Sequence, residues 1–157
     1  MNYRKAQIED AAAVTDIVQK TKAEIYPKYY PKEVVDFFDQ LHCYEHIAED
    51  IQKKNVYVLE VDGVPVGTGS YEGNHITRVY VLPQYQKKGY GRYILRKLEQ
   101  EIAAKQKRIF LDASLPACKF YENNGYKTVK HEEWKCENDV VLVYDIMEKV
   151  IDNEYSN

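Results

Sequence analysis

Three strand-like segments follow one another between residues 56 and 82 with almost nothing between them, and helical periodicity flanks them on both sides. Val56 to Val61 meets Val64 to Tyr71 through Asp62-Gly63, a two-residue connection suited to a tight hairpin because both positions tolerate positive φ. Glu72-Gly73-Asn74 turns the chain again into Ile76 to Leu82. Pro83 ends that run, since proline cannot donate to a sheet ladder. This places a sheet at the centre of the chain and helices around it.

The flanking segments agree. Tyr3 to Ile8 reads as a first strand, and Glu9 or Asp10 can cap a helix carrying Val14, Ile17, Val18, Thr21 and Ile25 at helical spacing. Tyr26-Pro27-Lys28-Tyr29-Tyr30-Pro31 breaks it, because each proline disfavours helix in the residue before it. Lys32 to Lys53 is helical again, as one bent helix or two short ones. After Pro83, Gly91 to Lys105 is a helix with Ile94, Leu95, Leu98 and Ile102 on one face. Arg108 to Ala113 is a strand, Pro116 to Asn124 a short helix closed by Gly125, and Tyr126 to His131 and Asp139 to Met147 are strands, expected to be antiparallel. The expected fold class is mixed α/β, a mostly antiparallel sheet flanked by helices. Residues 1–150 form one domain in this reading, and 151–157 a frayed tail.

Composition narrows the function. The 22 Lys and Arg against 25 Asp and Glu leave a net charge of −3, without the basic excess that phosphate neutralisation requires of a nucleic-acid binder. The longest apolar run, Val140 to Tyr144, is far short of the roughly 20 residues of a membrane span. Met1-Asn2-Tyr3-Arg4-Lys5 lacks an apolar signal core, so a cytoplasmic location is expected. Cys43, Cys118 and Cys136 are too few and too widely spaced for a disulfide framework or a metal site, and read as reduced thiols.

The stretch that can carry chemistry runs from Val79 to Arg92. A strand enters a loop containing Lys87, Lys88, Gly89 and Gly91, and a helix opens at once. Free amides at a helix start, with the positive end of the helix dipole, make an anion site, and glycine lets the backbone approach an oxyanion closely. The dipole alone contributes about 0.3–1 kcal/mol when exposed, so converging N–H groups have to dominate. A plain strand-to-helix turn with solvated lysines fits the spacing equally well. Neither the Walker nor the Rossmann glycine pattern is present.

Gln86-x-x-Gly89-x-Gly91 after a Val-x-Val-x-Pro strand resembles the pyrophosphate loop of the GNAT superfamily of acyl-CoA-dependent N-acetyltransferases. Ser114-Leu115-Pro116-Ala117-Cys118-Lys119-Phe120-Tyr121-Glu122-Asn123-Asn124-Gly125-Tyr126 is similar to a second segment of that family, at the right distance. The resemblance implies a GNAT-like sheet that splays after its fourth strand. It implies acetyl-CoA as cosubstrate, without a metal, and transfer of the acetyl group to a primary amine of a small molecule or peptide by direct attack.

Residue by residue, the resemblance implies that the main chain of Val79 and Val81 pairs with the pantetheine arm. The backbone of Gln86, Lys87, Lys88, Gly89, Tyr90, Gly91 and Arg92 would cradle the pyrophosphate, with Tyr90 packing over the loop. Ser114 stands where many members carry asparagine, and would contact the pantetheine or the next helix. Tyr121 matches the tyrosine near the departing thiolate, where a phenol can deliver a proton. His75 occupies the place of a carboxylate base, with Glu72, Asp112 and water as rivals. Tyr26, Tyr29, Tyr30, Phe37 and Phe38 fit an aromatic entrance for the amine, and His131-Glu132-Glu133-Trp134 could favour a cationic acceptor. Cys118 allows a covalent route, although no neighbouring base in the sequence activates it. A non-catalytic acyl-CoA-binding module is the competing reading. Acylation of a protein N-terminus or of a tRNA-linked amino acid is a further variant, the latter disfavoured by the acidic balance. Late edge strands in such folds pair, so a homodimer is also among the expectations.

Overall fold

The computed structural model describes residues 1–151. Seven strands form one sheet: β1 (Asn2–Lys5), β2 (Val56–Val61), β3 (Val64–Glu72), β4 (His75–Val81), β5 (Arg108–Ala113), β6 (Lys127–Lys135) and β7 (Val141–Val150). Their order across the sheet is β1–β2–β3–β4–β5–β7–β6, and every neighbouring pair is antiparallel except β4 with β5. The helices are α1 (Ala11–Ile25), α2 (Lys32–Leu41), α3 (Tyr44–Gln52), α4 (Tyr90–Ala103) and α5 (Cys118–Asn123).

Each face of the sheet has its own core. Leu59, Val66, Ile94, Leu95, Leu98, Ile109, Leu111 and Met147 pack beneath α4, with Tyr121 of α5 joining them. Val14, Val18, Ile47, Ile51, Val56 and Val58 pack between α1, α3 and the other face. α4 lies so close to β3 that a Cβ at Gly69 would sit 2.5 Å from Ile94 Cγ2. Only a glycine lets helix and strand meet there. A third cluster joins Tyr26, Tyr30, Val34 and Leu142 with Phe37 and Phe38 around α2.

Several boundaries shift from the sequence expectation for definable reasons. The first strand stops at Lys5 rather than Ile8, and Ile8–Asp10 forms a 3₁₀ turn. Asp10 accepts from the Gln7 N–H at 2.7 Å and from the Arg4 guanidinium at 2.7 and 2.9 Å, so it caps this turn and not α1. The region from Lys32 to Lys53 is two helices, because His42 leaves the helix (φ −112°, ψ 37°). Its imidazole is held instead by Arg78. β6 and β7 run further than apolar runs imply, since β6 is an edge strand of mostly exposed residues whose pairing with β7 needs no apolar pattern. At the end of the chain Ile151 is buried and donates its N–H to Lys107 O at 2.7 Å. The rest of the expected tail, 152–157, lies outside the described residues.

Candidate active site

β4 and β5 are in register only at His75–Phe110 and Ile76–Leu111. Beyond these pairs they part, and a cavity of about 980 Å³ opens between them. The Leu82 N–H donates to Val66 O on β3 at 2.8 Å. Alternation along an antiparallel strand therefore turns the N–H and C=O groups of Val79 and Val81 towards the opposite edge, the side of the cleft. The Val81 carbonyl already accepts from Gln86 Nε2 at 2.8 Å and Thr21 Oγ1 at 3.3 Å. Gln86 thus contributes a side chain that pins the loop to the strand, a role the motif did not disclose.

The loop ends at Gly89, whose φ of +87° starts α4 from the left-handed region. The first amide to close on the helix is that of Tyr93, which donates to Gly89 O at 3.0 Å. The N–H groups of Tyr90, Gly91 and Arg92 precede it and have no acceptor within α4. Lys87, Lys88 and Arg92 are exposed beside them, and Tyr90 packs against the core beneath α4. A Cβ at Gly91 would make only an ordinary contact, 3.4 Å from Phe120 Cε1. Packing in the fold does not require glycine there. With both lysines solvated beside these amides, a Lys87→Ala/Lys88→Ala protein is expected to bind acetyl-CoA about 3- to 10-fold more weakly. Its binding should also depend less on salt than that of the wild type, as calorimetry at two ionic strengths would show.

Tyr121 lines the same cavity from α5 and is 7% exposed. Its hydroxyl has no hydrogen-bond partner among the described residues, and burial with the neighbouring Tyr26 raises its pKa well above that of a free phenol. The group stays a proton donor. Its ring is held edge-on by Phe120 and Tyr126, at centroid distances of 5.1 and 5.6 Å. Tyr126 donates in turn to the buried Glu99 at 2.9 Å, and Lys149 to the same carboxylate oxygen at 3.1 Å. Opposite, the Tyr26 and Tyr80 hydroxyls lie 3.2 Å apart, and Tyr26 also donates to Ser114 Oγ at 3.3 Å.

Residues 25–148 match the model of the acetyltransferase (GNAT) domain. The chain belongs to the GNAT acetyltransferase family. Among curated proteins, the uncharacterized N-acetyltransferase YafP of Escherichia coli K12 is 30% identical over 88 residues, and the match spans just over half, 56%, of each chain. Among solved structures, a GCN5-related N-acetyltransferase of Rhodopseudomonas palustris superposes with a TM-score of 0.87 at 24% identity, covering 96% of this chain and 95% of that one. The PaiA N-acetyltransferase of Thermoplasma acidophilum, solved with coenzyme A, gives 0.74 at 20% identity over 95% and 98%. These structural likenesses speak for the GNAT fold.

The GNAT cleft gathers Val79, Val81, Gln86, Lys87, Gly89, Gly91, Arg92, Ser114 and Tyr121 around one space. Lys88 lies beside it, its ammonium 5.9 Å from the Tyr85 ring centroid. His75 is not part of that lining. It sits at the paired end of β4, with Nε2 3.8 Å from Asp112 Oδ2. Glu72 lies outside too, whereas Asp112 is the acidic side chain among the described lining residues. Of the expected aromatic entrance, Tyr26, Phe37 and Phe38 line the cavity, Tyr29 is exposed, and Tyr30 is buried with its hydroxyl accepting the Leu115 N–H at 2.6 Å; from the His131–Trp134 segment, Trp134 also lines it. Cys118 donates to Ser114 O, and burial beside Asp145 pushes its thiol up to about 11, so it is a poor nucleophile. Sequence reasoning missed Arg78 and His42, which the fold buries against each other. The signal for Arg78 was a charged residue inside an otherwise apolar strand.

No helix among the described residues is long and apolar enough to cross a membrane. The described residues also hold no group of three or more His, Cys, Asp or Glu able to bind a metal ion.

Proposed function

We propose that this GNAT protein transfers the acetyl group of acetyl-CoA to a primary amine by direct attack, within a single domain of residues 1–150. One observation carries the reading: an open strand edge, a helix start with free amides and a buried phenol converge on one cavity. Val79 and Val81 would pair with the pantetheine arm, and the amides from Gln86 to Arg92 would hold the pyrophosphate. Bound there, the thioester supplies the acyl group and a thiolate leaving group. Tyr121 donates its proton to that thiolate as the new C–N bond forms and the C–S bond breaks. Ser114, tied to Tyr26, fixes the turn into α5 that presents Tyr121.

The amine must lose a proton, because an ammonium has no lone pair. His75 stands away from the cavity, so the base passes to Asp112, directly or through water. Asp112→Asn should lower kcat/KM roughly 10- to 100-fold at neutral pH. The deficit should shrink as pH rises and the acceptor deprotonates unaided. His75→Ala should leave the pH–rate profile unchanged. A flattened limb in His75→Ala would return the role to histidine.

A thiol-release assay with acetyl-CoA across amines, polyamines, amino acids and peptides tests the reaction. Tight acetyl-CoA binding without release to any amine would instead indicate an acyl-CoA-binding module. The free cysteines support a cytoplasmic setting. The exposed edge strand β6 with its Val129 supports pairing of two copies.

A further inference from the structure

Arg78 points to the kind of amine this site accepts, an inference that rests on the acetyltransferase reading and extends it. Along the β3–β4 ladder, Tyr71 faces Ile76 and Ser70 faces Arg78, so Thr77 is an extra residue on β4. Such a bulge shifts the alternation by one and re-aims the side chains that follow. Ile76 joins the core beneath α4, while Arg78 reaches α3 and the residue that ends α2 on the other face. The Arg78 side chain is 5% exposed. Its Nε donates to His42 Nδ1 at 2.9 Å and its Nη1 to Asp50 Oδ2 at 2.6 Å.

Two donors remain. Nη2 of Arg78 has no hydrogen-bond partner among the described residues, although Arg78 lines the cavity. His42 lines it as well. A guanidinium can only donate, so His42 Nδ1 accepts and its proton sits on Nε2. Burial and the charges of Arg78 and Lys22 keep this ring neutral. Lys22, the other buried cation nearby, is already engaged by Phe38 O at 2.8 Å and Asp39 at 3.1 Å. A desolvated guanidinium with donors to spare is costly unless something else accepts from it. The planar fork matches a carboxylate best. The same cavity is lined by Phe37, Phe38, Trp134 and Leu142, with the Phe38 ring stacked 6.5 Å from that of His42.

We propose that the acceptor is an α-amino acid with an apolar or aromatic side chain, its carboxylate held by Arg78 Nη2 with His42 Nε2–H as a second donor. Arg78 adjoins Val79 and stands about 10 Å along the strand from Val81. A carboxylate there leaves the α-amine, two bonds away, near the open edge of β4, and the side chain against the aromatic wall.

The test does not depend on turnover. N-acetyl-L-phenylalanine and its amide are titrated into the wild-type protein saturated with coenzyme A. The acid is expected to bind roughly 10- to 100-fold more tightly than the amide, the value of a hydrogen-bonded charge. Arg78→Lys should erase most of that difference. Equal affinities, a preference for the amide, or no binding of either overturns the inference. Should Arg78→Lys fail to fold by circular dichroism, the wild-type comparison alone decides. Thiol release with phenylalanine against phenylalaninamide separates the two levels. Equal turnover of both defeats the carboxylate site and leaves the transferase reading standing. Selective binding of the acid without thiol release from any amine defeats the transferase reading and leaves the carboxylate site.

Discussion

Tyr121→Phe is expected to lower turnover roughly 10²–10⁴-fold, the range for loss of a positioned general acid, with acetyl-CoA affinity nearly unchanged. The substitution removes one oxygen and keeps the ring between Phe120 and Tyr126, at 5.1 and 5.6 Å. The hydroxyl holds nothing together, since no described residue hydrogen-bonds to it, so stability should not fall. Burial raises its pKa, which keeps the phenol protonated at neutral pH, so a hydrogen-bond donor stands ready for the departing thiolate. Steady-state kinetics with one acceptor, together with calorimetry of acetyl-CoA, separate the possibilities. Affinity and turnover falling together would mean that the hydroxyl orders the cosubstrate and donates nothing.

Gly91→Val should weaken acetyl-CoA binding on the order of 10²-fold or more while the protein stays folded. The added Cβ meets Phe120 at 3.4 Å, a tolerable contact, and valine is no worse a helix residue than glycine. Its two methyl groups, however, must lie at the mouth of the first turn of α4, over amides that have no intrahelical acceptor. Each charge-assisted hydrogen bond lost there is worth about 1.5–3 kcal/mol, and one or two suffice for the effect. Calorimetry of acetyl-CoA with a parallel thermal melt is the measurement. A folded Gly91→Val protein of unchanged affinity would remove the pyrophosphate from this loop.

Much of the molecule was legible before any coordinates. The Asp62-Gly63 hairpin, the turn at Gly73 and the stop at Pro83 define the meander β2–β3–β4 because those signals act between neighbours in the chain. The loop from Gln86 to Arg92 was legible for the same reason, since a strand, glycines and a helix start are local features; their spacing fits a plain turn equally well, and the family resemblance is what points it to a pyrophosphate. Tyr121 was recognisable from its segment, and the structure places it in the lining of the cavity.

The far wall of the cavity was decided by the tertiary structure, because every contact there pairs residues distant in sequence. His75 was the first candidate along the chain, with Glu72, Asp112 and water as rivals; the point at which β4 and β5 part leaves His75 outside the cavity lining and Asp112 in it. Tyr30 read like Tyr26, yet its hydroxyl is taken by the amide of Leu115, 85 residues away. Arg78 reaches the cavity through a one-residue bulge that no periodicity announces, and His42 leaves its helix to meet it. The sequence by itself determined the order of elements and the glycine loop that opens α4, since short-range backbone preferences are written residue by residue. Which side chains line the cavity was settled by register, splay and burial, which exist only once the sheet has formed.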